Sequence, residues 1–119
     1  MSVSRTGKLL ITIQDDGVLR IYQSTEEAVR DVEALDAEQT FRSVFDETGR
    51  CYAIRWIRPN QRGLFTVGNG AYTLVPDGRV DMEALRNVIR EAQFIEPESL
   101  KSWLQELEGR LTSRLSGPA

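Results

Sequence analysis

The sequence predicts an α+β protein, a two-layer sandwich in which a mostly antiparallel sheet of about five or six strands carries its helices on one face. Three observations predict it. Short runs of apolar residues flank three glycine turns, at Asp15-Asp16-Gly17, Glu47-Thr48-Gly49 and Asn69-Gly70, the pattern of hairpins. Three other segments repeat apolar residues every three or four positions, as helices do. No repeat, low-complexity run or linker divides the 119 residues, so residues 1–119 make a single domain.

The elements follow in the order ββαββββαα. The first hairpin pairs strands at 8–14 and 18–23 around Gly17, which supplies the positive φ of a tight connection. Residues 24–36 form the first helix, opened by Ser24 and Glu27 at capping-box spacing, with Ala28, Val32 and Leu35 as its apolar stripe. The second hairpin joins strands at 40–46 and 51–58. In its first strand Phe41, Ser43 and Phe45 point one way and Arg42, Val44 and Asp46 the other. In its second, Tyr52, Ile54 and Trp56 alternate with Ala53, Arg55 and Ile57. The bulky aromatic face is expected beneath helices and the Arg55 face in water. The third hairpin places strands at 64–67 and 71–75 around Asn69-Gly70. Pro76-Asp77-Gly78 turns into a helix over 81–93, with Asp81 as its N-cap and Leu85, Val88, Ile89 and Ala92 as its buried stripe. Pro97 suits the first position of a last helix over 97–114, whose stripe is Leu100, Trp103, Leu104, Leu107, Leu111 and Leu115.

Composition excludes several chemistries. The chain has no histidine and one cysteine, Cys51. Imidazole metal sites, Ser-His and Cys-His nucleophile pairs and an internal disulfide are therefore out of reach. No catalytic residue, metal ligand or cofactor site is expected. The adjacent carboxylates of Asp15 and Asp16 serve a turn and lack the spacing of a calcium loop. Gly68-Asn69-Gly70 lacks the third glycine and the helix of a dinucleotide fingerprint. No apolar run reaches the length of a membrane span or a signal-peptide core, so the expected location is the cytoplasm.

The distribution of charge directs attention to partners. The net charge is −3, yet residues 42–62 carry +3 and residues 24–39 carry −5. Arginine outnumbers lysine 13 to 2, and its planar fork suits carboxylate and phosphate. Overall acidity and the absence of an aromatic, glycine-rich RNA-binding signature argue against nucleic acid, which keeps the Arg-rich 42–62 region as its only foothold. An enzyme would have to work without histidine. The expected function is non-catalytic binding of a protein partner, in its most concrete form a small cytoplasmic inhibitor of the immunity type that neutralises a bacterial toxin or nuclease. Two surfaces compete for the contact: Arg55, Arg58, Asn60, Gln61 and Arg62 on the fourth strand and its following loop, and the acidic helix represented by Glu26 and Glu33. The late leucines Leu111 and Leu115 add the expectation of a weak homodimer through the C-terminal helix.

Overall fold

Two glycine turns build the middle of the sheet. In the computed structural model, which describes residues 9–62, 67–68 and 70–117, β1 (Leu10–Gln14) and β2 (Leu19–Tyr22) pair antiparallel around Gly17, whose φ is 80°. The Asp16 carboxylate accepts from the Val18 amide and closes that turn. β3 (Phe41–Asp46) and β4 (Arg50–Arg58) meet around Gly49, with φ 90°. A Cβ at Gly49 would stand 2.9 Å from Met82 Cγ, so glycine is required there twice over.

The α+β class and the six-stranded, mostly antiparallel sheet are as the sequence predicts. The strand order is β7–β4–β3–β1–β2–β8, where β7 is Ala71–Val80 and β8 is Ile95–Glu96. Among the described residues β8 adds the one parallel pairing, Leu19 opposite Ile95 and Arg20 opposite Glu96. A separate two-stranded ladder joins β5 (Gln61–Arg62) to β6 (Val67–Gly68).

The helices do not share one face, and here the expected two-layer arrangement needs correction. The hairpin of α3 (Met82–Glu91) and α4 (Lys101–Ser116) packs on one side, over Leu9, Ile11, Leu19, Ile21, Phe45 and Cys51. The short helices α1 (Thr25–Asp31) and α2 (Ala37–Thr40) lie on the other, over Leu10, Tyr22, Val44, Tyr72 and Leu74. Leu10 and Ile11 are consecutive in a strand, so they necessarily point to opposite faces, and both are buried. The central strands are covered twice, which is why Leu9-Leu10-Ile11 is unbroken apolar sequence.

Smaller departures have local causes. The helix expected over 24–36 stops at Asp31, and α2 occupies the link that follows. Its cap is as expected: the Ser24 hydroxyl accepts from the Glu27 amide at 3.1 Å. Asp81 caps α3 in the same way through Ala84. The last helix enters through a 3-10 turn, Glu98–Leu100, before α4 begins. The expected third hairpin falls largely on residues outside those described. Among the described residues β7 pairs with β4, and the expected strand over 64–67 lies mostly outside them. β7 also runs through Pro76-Asp77-Gly78, because Pro76 pairs with Tyr52 and the residues from Asp77 to Arg79 form an irregularity before the pair Arg50–Val80. A second bulge, where Ile13 faces Ser43 and Gln14 faces Phe41, turns Phe41 onto the α1–α2 face and away from Phe45.

Candidate protein-binding surface

The sheet is open in its middle. Among the described residues, Phe45–Cys51 is the only register pair between β3 and β4. The same register would continue with Val44 opposite Tyr52 and Ser43 opposite Ala53, and no such pair forms. β3 remains bound to β1, and β4 to β7, so the two strands diverge as two halves of one sheet. A cleft of about 420 Å³ fills the gap. Its walls include Phe41 to Phe45 and Cys51 to Ile54, with Leu74 from the α1–α2 face and Ala84 from α3. Side chains of both faces line it, so the cleft lies in the plane of the sheet. The facing strand edges there present backbone donors and acceptors without a strand opposite them.

The face beside the cleft is uncovered. α3 and α4 reach Phe45 and Cys51 and no farther along β4. Beyond them Ala53, Arg55 and Ile57 are exposed, Ile57 by 71%. Thr73 and Val75 lie opposite Arg55 and Ala53 on β7. Arg42, at the β3 bulge, is exposed and lines the cleft. The ion pairs among the described residues engage Arg20, Arg79 and Arg90, and none engages Arg42 or Arg55.

The residues singled out in the sequence separate into different places. Arg55 stands in the uncovered face. Arg58 is exposed at the end of β4, opposite Ala71. Asn60 is engaged internally: its amide donates to the Ala34 carbonyl at 2.8 Å and its oxygen accepts from the Gly70 amide at 2.7 Å. Gly70 has no room for a side chain, since a Cβ would collide with the Arg58 carbonyl. Gln61 and Arg62 form β5, and their side chains lie outside the described residues. Glu26 and Glu33 are exposed on the α1 side, so the two competing surfaces belong to opposite faces. Tyr52, Ile54 and Trp56 do turn to a helix-covered side, half-buried against the α1–α2 cluster, where the Trp56 indole donates to Glu38 at 3.1 Å. Leu111 is spent on the core, which leaves Leu115 as the exposed leucine of α4.

One polar constellation escaped the sequence. Gln14, almost fully buried, donates to Thr12 and to the Tyr22 hydroxyl, and accepts from Arg20. Tyr22 donates to Asp31 at 2.6 Å, while Arg20 pairs with Asp16 and Glu96 at 2.9 and 2.8 Å. Burial, then the Asp31 carboxylate, raises the Tyr22 phenol above its ordinary range. The hydrogen bond from Arg20 lowers the Asp16 carboxyl. The network binds β1, β2, α1 and β8 together, and every polar group in it has a partner within it. Its one signal in the sequence was Thr12 and Gln14 alternating with isoleucines in "ITIQ". Cys51 is buried, burial raises its thiol, and its Sγ donates to the Gly49 carbonyl at 3.8 Å. It is a small core residue without an activating base.

No helix of the described residues is long and apolar enough to cross a membrane. No family model, curated protein or solved structure matches the chain.

Proposed function

We propose that the protein is a non-catalytic module that binds a protein partner through the β3–β4 cleft and the uncovered face of β4 and β7. The observation that carries this is the coincidence of three features in one place. Open strand edges and Arg42 border the gap, Arg55 and Ile57 stand exposed on the adjoining face of β4, and neither arginine has an ion-pair partner among the described residues. Unpaired edges and exposed apolar side chains are liabilities that a soluble protein ordinarily covers, and arginine beside apolar surface is the composition of an interface core. In its specific form the module is a cytoplasmic inhibitor of the immunity type. The −5 segment at 24–39 supports a basic toxin or nuclease as target, since opposite charge speeds encounter.

Capture from the native host with paired variants tests the reading. Arg55→Glu with Ile57→Asp is expected to abolish capture of the partner, while Glu26→Lys with Glu33→Lys slows association and leaves the complex intact. Loss confined to the second pair moves the contact to α1. Capture unchanged by both pairs refutes the proposed surface.

A further inference from the structure

We propose that the cleft accepts an extended segment of another protein as an additional strand between β3 and β4, one that alternates acidic and apolar side chains. This rests on the protein-binding reading and gives it a mechanism. β3 and β4 are held by their outer neighbours, so each keeps its inner edge for a newcomer. The two run antiparallel, so the inserted strand is antiparallel to one and parallel to the other. A strand residue fills roughly 160 Å³, from its rise, lateral spacing and sheet depth, so the cleft of about 420 Å³ takes about three residues.

The side chains of the guest are set by the two faces. Successive residues of a strand point to opposite sides. One side of the cleft meets Val44, Ile54 and Leu74, which are apolar, together with Glu38 of α2, which accepts from the Trp56 indole. The other meets the uncovered face, where Arg42 lines the gap beside Arg79, which is paired with Asp77, and Asp81, whose carboxylate caps α3, while Arg55 stands exposed farther along β4, outside the lining. Alternate residues of the guest are therefore apolar and acidic, the carboxylates pairing with the arginines. Insertion would make one continuous sheet from β7 to β2.

A disulfide lock tests it. In a Cys51→Ala background, Ser43→Cys and Ala53→Cys place thiols at positions that stand opposite each other when the hairpin closes. A disulfide needs Cα atoms within about 7 Å, whereas an inserted strand holds them about 9.6 Å apart, two lateral spacings. The probe is a library of capped hexapeptides in which Asp or Glu alternates with Val, Ile, Leu, Phe or Tyr, beside a twin library with Lys in place of the acids. The acidic library should yield binders. Oxidation of the double-cysteine protein should weaken them by at least about tenfold, with recovery on reduction, and methylating alternate peptide nitrogens should cost a similar factor by removing backbone donors. The N-methyl arm reads strand pairing independently of the lock. Enrichment no greater than in the Lys library, or binding indifferent to both oxidation and N-methylation, overturns the proposal. Self-association of the protein that disappears on oxidation also overturns it, by making a second copy the occupant. A host partner that binds the oxidised protein but not the Arg55→Glu, Ile57→Asp variant leaves the protein-binding reading standing and removes strand insertion alone.

Discussion

Asp46 is the residue on which the second hairpin turns. It is buried at the end of β3, and its carboxylate accepts from the Thr48 amide and hydroxyl, the Arg50 amide and the Tyr52 hydroxyl. Replacing it by alanine orphans several donors at once, and Asp46→Ala should cost about 2–3 kcal/mol in urea denaturation. Tyr72 plays the matching part on β7, where its hydroxyl donates to the Val32 carbonyl at 2.6 Å and ties the end of α1 to the sheet. Burial, followed by the charge of Asp31, pushes the Tyr72 phenol up to about 12. Its ordinary value is 10.0, so between these values the unfolded chain loses a proton that the folded chain keeps. Stability is then full below pH 10 and falls as the pH rises toward 12. Denaturation midpoints followed across that interval should decline, and Tyr72→Phe should flatten the decline while lowering stability at neutral pH by about 1 kcal/mol.

At the scale of elements, the apolar stripe of α4 is the most heavily invested surface. Leu104 and Leu107 are both buried in the α3–α4 core. Leu104→Ala and Leu107→Ala should each cost about 2–4 kcal/mol, measured as lowered denaturation midpoints; unchanged midpoints would make the helix peripheral. Gly49→Ala should be destabilising by about 1–2 kcal/mol, because the positive φ disfavours any Cβ and Met82 stands in its way. These elements were legible because their signals are local. A glycine between two alternating runs names a hairpin, and Ser24 and Asp81 name helix starts. The pairing of β7 with β4 was not legible, since Asn69-Gly70 gave a local hairpin signal and the competing partner lies more than ten residues away. The second helical layer left a trace, the unbroken apolar run of β1, which a strand covered on one face does not need.

For the whole molecule, the consequence is an elongated body, 59 × 37 × 27 Å, in which the sheet is covered on both faces as far as β3, and β4 and β7 continue beyond it with the α1–α2 side alone covered along most of their length. Arg55 was legible as a surface residue from the alternation of β4. The cleft beside it was not, because the sequence "FRSVFDETGRCYAIRW" reads as a hairpin that zips along its whole length, and only the tertiary attachments of each strand hold it open. Function at this scale depends on which surface a partner covers. Amide hydrogen exchange of the protein with and without its captured partner compares the two directly. New protection is expected in residues 41–44 and 52–55, on the two edges of the cleft, with residues 25–31 of α1 unchanged. Protection confined to α1, with the cleft strands exchanging as in the free protein, would contradict the assignment of the binding surface to the open sheet.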